Sequence, residues 1–295
     1  MLKKLLFLFL ANILICSNLI AQNDSINKKR LAGVVIGESV GITASLIGLN
    51  SLWYKDYPRS GFHFFNDNDE WFAMDKIGHF TTTYHIGRIG YGIYRWTGIE
   101  NNKAIWYGGS TGLIYLTTIE VLDAFSTEWG FSWGDMFANT AGAALFMGQE
   151  FAWNDQRISV KYSFMPSKYA EYRPELLGEN TIQQSLKDYN GQTYWLSVNP
   201  YSFLSEDSRF PKFLNIAFGY GADGMIGAVK NPAGISPDFN RYRQYYFSLD
   251  LDLTKIPCKR KWVKTVLATL NIVKVPFPTL EYNTEKGVLF HPLYF

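Results

Sequence analysis

The chain has 295 residues, 28 basic and 26 acidic side chains, and a formal net charge of +2. That near-neutral balance excludes a nucleic-acid binder, which needs a basic surface to neutralise phosphates. An aromatic share of 17%, with 19 Tyr and 9 Trp, instead fits a protein that sits against a lipid interface.

Lys3 and Lys4 precede the apolar run LLFLFLANILI, and Ala21 stands before Gln22. This is the pattern of a secretory signal peptide over residues 1–21, with Leu19 and Ala21 at the minus-three and minus-one positions. The apolar run is short for a membrane span. Cys16 opens lipidation as an alternative, but bulky Ile15 precedes it where a small residue is wanted. Cleavage removes Lys3, Lys4 and Cys16, leaving 26 basic against 26 acidic groups and Cys258 as the sole cysteine. No internal disulfide is then possible, even in an oxidising compartment.

The composition shifts near Phe151. Before it run long apolar stretches rich in Gly, Ala, Ile and Thr; after it come short alternating runs broken by Pro, Gly, Asn and Asp. The expected fold is α+β: an N-terminal four-helix apolar bundle, a membrane-associated domain over 31–153, then a β-rich region with short helices over 157–295.

The first helix covers Leu31–Trp53, long enough to cross a bilayer, with Glu38 as its one charge. Gly37 and Gly41 have the small-xxx-small spacing that lets another helix approach. The second helix, about Trp71–Trp96, holds Asp75, His79, His85, Arg88 and Arg95, too many ionisable groups for a lipid-facing span. The third covers Lys103–Phe125, with Gly108 and Gly112 as a second close-packing pair. Ser132 reads as an N-cap, with Asp135 as the acidic partner of a capping box, and opens the fourth helix, Trp133–Trp153. Beyond Gln156 the period becomes two: RISVKYSF, TYWLSVNPYSF, LNIAFGYG and RQYYFSLDLDL alternate as strands. A hairpin turns around Asn283–Gly287, and short helices fall at Asn180–Leu186 and Lys261–Ile272.

Three polar pairs stand at helical spacing in apolar surroundings: Asp75 with His79, Glu120 with Asp123, and Asp135 with Asn139. Each pair lies on one helix face. Burying a carboxylate is costly unless it is paired, so these groups are expected to gather. Asp75, His79, Glu120 and Asp135 are the candidates for acid–base chemistry, with Asp123 and Asn139 as structural polar partners. The same donors suit zinc, manganese or iron, but no metal and no cofactor is assigned. Each group also has a structural role open to it: Asp75 and Asp135 at helix N-termini, Asn139 bonding across helices, His79 as a core histidine. His85, six positions after His79, falls on another face. Glu38 could join the pocket or face water; Arg157 could partner an acid or lie on the surface. His63 and His291 receive no role. No nucleophile elbow, phosphate loop, HExxH or dinucleotide fingerprint occurs, and GYGADGMIG and KDYNGQTYW read as turns.

DKIGHF, Glu120–Asp123 and FSWGDMFANTAGAALF, continuing through QEFAWNDQRISVKYSF, RPELLG and LKDYNGQTYWLS, resemble the YfiM-like family of envelope lipoproteins of unknown function, over about Trp71–Leu196. More distantly, Asp75, Lys76, His79, Glu120, Asp135 and Asn139 are similar to the pattern of VanZ-like membrane proteins. Asp123 stands where Gln commonly follows the Glu in that family, and the long β-rich tail also departs from it. The resemblance implies an envelope location and no particular reaction. The expected protein therefore resides in the cell envelope, outer membrane or periplasm, with membrane lipid as partner; the apolar helices, the aromatic abundance and terminal Phe295 favour the outer membrane. It is either a non-enzymatic module whose polar cluster organises the bundle, or an enzyme or binding protein acting on an envelope lipid or cell-wall precursor.

Overall fold

The computed structural model describes residues 26–51, 57–235 and 237–295. The expected signal peptide with Cys16, and the end of the first helix at Trp53, lie outside the described residues. The fold is α+β, helical first and β-rich after. The chain divides into two compact units, one of residues up to Asn66 with Thr82–Asn154, the other of Asp67–Thr81 with Asp155–Phe295.

In the helical unit α1 spans Lys28–Leu49, opened by Asn27, whose side chain accepts a hydrogen bond from the Arg30 N–H at 3.0 Å. It is long and apolar enough to cross a membrane by length and composition. Leu31, Val34 and Val35 are buried with Tyr94, Ile99 and Ala104, whereas Ile36, Val40 and Ile47 face outward. Glu38 settles inside the unit: its carboxylate accepts from Tyr94 Oη at 2.8 Å and Thr111 Oγ1 at 2.7 Å.

The second helix, α2, runs Met74–Trp96, and from Thr82 onward it belongs to this unit. The stretch expected as one third helix is two, α3 (Asn101–Gly109) and α4 (Thr111–Asp123), parted at Ser110. The run Gly-Gly-Ser-Thr has poor helix propensity, so the break falls where the backbone is least committed. Last comes α5, Trp133–Trp153, ended by Asn154 in the left-handed conformation.

Close helix approach occurs at one of the two expected glycine pairs. A Cβ on Gly108 would lie 2.3 Å from the Tyr91 nitrogen, and one on Gly112 would lie 2.4 Å from the Thr83 carbonyl oxygen. Gly37 and Gly41 have nothing within 4 Å of the same point. Their spacing serves no helix contact among the described residues, which corrects the expectation for α1.

The second unit is built on an antiparallel sheet in the order β1 (Ile158–Phe164), β2 (Gln192–Val198), β3 (Leu214–Asp223), β4 (Tyr242–Leu251), β5 (Phe277–Asn283) and β6 (Gly287–Tyr294). Short helices α6 (Pro174–Leu177) and α7 (Thr181–Lys187) join β1 to β2; α8 (Lys261–Leu270) precedes β5. The free edge of β1 receives the segment after α8, where Tyr162 N–H donates to the Ile272 carbonyl and Lys274 N–H to the Tyr162 carbonyl. On β6, Pro292 removes a donor, which suits an edge strand.

The sheet is inverted relative to a water-soluble one. Its inner face carries the rung Lys161, Trp195, Gly219, Tyr246, Glu281 and the rung Ser159, Ser197, Ala217, Ser248, Thr279, His291. Lys161 and Asp250, both 0% exposed, pair at 2.7 Å. Asp250 also accepts from Ser197 Oγ at 2.6 Å, and Lys161 Nζ donates to the Leu251 carbonyl at 2.6 Å. His291 Nε2 meets Glu281 at 2.6 Å. The outer face carries Val160, which is buried, and then Leu196, Phe218, Phe247, Leu280 and Phe290, which are exposed, in one row. The next row is Tyr162, Tyr194, Tyr220, Tyr245 and Tyr282, five tyrosines on five adjacent strands, the first three packed around Met74 at the start of α2 and the last two exposed.

Because a buried charge left without its partner is heavily penalised, Lys161→Met should destabilise the fold by about 3–5 kcal/mol, and adding Asp250→Leu should restore most of that loss. Urea unfolding of the two variants in detergent measures this; an unchanged midpoint for Lys161→Met would contradict the buried pair.

Candidate functional site

Within the helical unit three of the expected residues come together. Ser132 is the N-cap of α5, its hydroxyl accepting from the Asp135 N–H at 3.1 Å. The other half of the expected capping box is supplied differently. The Ser132 N–H donates to Glu120 Oε2 at 3.2 Å, so a carboxylate from α4 does what a helix's own third residue usually does. Glu120, Ser132, Asp135 and Asn139 are all buried, at 3% exposure or less. Asp135 lies in the first turn of α5, where the helix dipole favours a carboxylate. One turn on, Asn139 Oδ1 accepts from Thr83 Oγ1 of α2 at 3.1 Å. These bonds tie α2, α4 and α5 through polar groups in an apolar interior. Asp123 is half-buried and ends α4. His85 is also buried, its ring edge-on to Tyr84 with centroids 5.1 Å apart.

Asp75 and His79 lie on the first turns of α2, within the sheet unit. Asp75 accepts from Tyr189 Oη at 2.9 Å and from Lys76 Nζ at 3.3 Å, and Lys76 also pairs with Asp67 at 2.6 Å. His79 Nε2 is 3.9 Å from Asp75. Neither side chain is sealed off: Asp75 is 28% and His79 16% exposed. Tyr189 is held by a nest around Asp188, which accepts from Ser167 Oγ at 2.6 Å and from Asn190. Burial pushes the Asp188 carboxyl above its usual range, against those hydrogen bonds, which lower it. Asn190, expected to make only a turn, also clasps the backbone of Met225 with two bonds of 2.7 Å.

The chain enters α2 through Trp71, Phe72 and Ala73, all at positive φ, where the sequence suggested a regular helix start. This left-handed conformation is unfavourable for L-residues. It is fixed by a Tyr220 Oη bond to the Phe72 carbonyl at 2.6 Å, by a Trp71 N–H bond to the Ala228 carbonyl at 2.8 Å, and by Arg243 over the Phe72 ring at 4.3 Å. Beside the same turns of α2 lies an apolar cleft of about 310 Å³, lined by Ile77, Phe80, Thr81, Leu196, Phe218 and Tyr220 among others. No sequence signal marked the cleft, because its walls come from strands far apart in the chain.

The helical unit thus gathers Glu120, Asp135 and Asn139, and the first turns of α2 set His79 beside Asp75 in the other unit. Of the remaining residues considered from sequence, Arg157 lies over the Phe203 ring at 5.3 Å. His291, given no role, is the partner of buried Glu281.

A family described as "Predicted periplasmic lipoprotein (DUF2279)" matches residues 62–148, the stretch that contains all six candidate residues. The match supports a cell-envelope location, and its description gives no activity. No curated protein and no solved structure matches the chain.

Replacing Glu120 by Ala leaves the buried Ser132 N–H without this acceptor, an expected loss of about 1–3 kcal/mol. Glu120→Gln keeps an acceptor oxygen and should lose less. Thermal unfolding followed by circular dichroism distinguishes the two; equal losses would argue against the hydrogen bond as the reason for this acid.

Proposed function

We propose that the protein is a membrane-seated module of the cell envelope, in which buried acids and amides hold the helices together and the sheet offers its outer face to lipid. The inverted sheet carries this reading. In water an antiparallel sheet buries its apolar face and wets its polar one. Here the ion pair is enclosed, while Phe218, Phe247, Leu280 and Phe290 remain about half exposed or more. In the adjoining tyrosine row Tyr245 and Tyr282 are likewise about half exposed, as amphipathic rings at head-group level are, whereas Tyr162, Tyr194 and Tyr220 pack around Met74. Among the described residues β6 has no further strand beside it. Because an open strand edge is not tolerated in hydrocarbon, the sheet would lie with its face on the lipid boundary. The apolar length of α1 supports the same seat.

A second reading is favoured by the partial exposure of Asp75 and His79 and by the cleft beside them. It makes the protein an enzyme or binding protein for an envelope lipid or cell-wall precursor, with Asp75 and His79 as its polar groups and an acyl chain in the cleft. Asp75→Asn or His79→Ala would then leave folding intact and abolish biological function, whereas a purely organising role predicts that folding and function are lost together.

The membrane reading is tested by vesicle flotation of the purified chain. Phe247→Ser with Phe290→Ser should reduce partitioning by about ten-fold per residue, the scale expected for burying a large apolar side chain. Undiminished flotation by a folded double variant would sink the proposal.

A further inference from the structure

The helix α8, Lys261–Leu270, has the geometry of an interfacial anchor. Trp262, Val266 and Leu270 recur every four residues along one stripe and are 64%, 45% and 52% exposed. Val273 prolongs the stripe and bridges Tyr162, the first member of the tyrosine row.

The charge of this segment is one-sided. Lys259, Arg260, Lys261 and Lys264 are all exposed, and no acid occurs between Ile256 and Leu280. Among the described residues none of these four side chains makes an ion pair. They also crowd the N-terminal end of α8, where the helix dipole is positive and cations are disfavoured. In water the segment thus combines three unfavourable features: exposed apolar side chains, unpaired like charges, and cations at the wrong helix end. A surface that is both apolar and negative relieves all three. We infer that α8 docks on the surface of an anionic phospholipid bilayer, with Trp262, Val266 and Leu270 entering the acyl boundary and the four cations meeting head-group phosphates. This inference rests on the membrane reading above and adds to it a lipid class and a place of contact.

The experiment is flotation of the full chain with two vesicle populations, one of phosphatidylcholine alone and one in which a third of the lipid is phosphatidylglycerol. The wild-type chain should prefer the anionic vesicles, and this preference should fall with added salt. Lys261→Gln with Lys264→Gln should reduce the preference by about five-fold per removed charge, leaving binding to neutral vesicles unchanged. A benzophenone in place of Val266 should label lipid on illumination. An undiminished preference in the double variant, or labelling of a protein instead of lipid, overturns the inference. Loss of salt-resistant binding to neutral vesicles would instead strike the embedded-sheet reading, so the two failures are distinguishable.

Discussion

The enclosed pair of Lys161 with Asp250 is the constraint from which the sheet's character follows. Two charges withdrawn from water must satisfy one another and their remaining hydrogen-bonding capacity, and here Ser197 and the Leu251 carbonyl complete the set. Residues on a strand alternate between faces. Once Lys161, Ser197 and Asp250 occupy the inside, their neighbours Val160, Tyr162, Leu196, Val198, Leu249 and Leu251 must take the opposite face, where Val160 and Tyr162 are covered and Leu196 and Leu249 are exposed. Cross-strand register carries that choice to β6, so the outer apolar rows are a consequence of the same pairing. A one-residue slip would bring the charges out and the rings in.

The helical unit meets the same demand differently. Its interior admits backbone contact at Gly108 and Gly112, with the Tyr91 nitrogen and the Thr83 carbonyl close by. At such separations helices have little room for side chains, and the polar groups that remain must find one another directly. Glu120 to the Ser132 N–H, Thr83 to Asn139 and Glu38 to Tyr94 and Thr111 are those meetings. Each joins two elements, so loss of one acid would be felt as a change in helix packing.

Much of this was legible in the sequence because it depends on local periodicity. The helices, the change to a period of two after Gln156, the hairpin around Asn283–Gly287 and the Ser132 cap follow from turn chemistry and from spacing. What was not legible depends on which strands become neighbours. The five tyrosines occupy five separate runs, and only the register places them in one row. The partner of the Ser132 N–H belongs to another helix, so a motif confined to one segment named Asp135 instead of Glu120. The left-handed entry to α2 at Trp71–Ala73 is held by Tyr220, Arg243 and the Ala228 carbonyl, all distant in sequence. At Gly37 and Gly41 the spacing suggested a contact that the structure lacks, since small residues permit approach without compelling it.

Pro292 gives the outermost strand a particular standing. An exposed strand margin is a template on which another chain can add itself, and repetition of that step builds fibres. A pyrrolidine ring midway along β6 interrupts the donor row such an addition would need. The molecule can therefore display broad greasy faces in a crowded compartment while denying its siblings the backbone handhold that would let them polymerise.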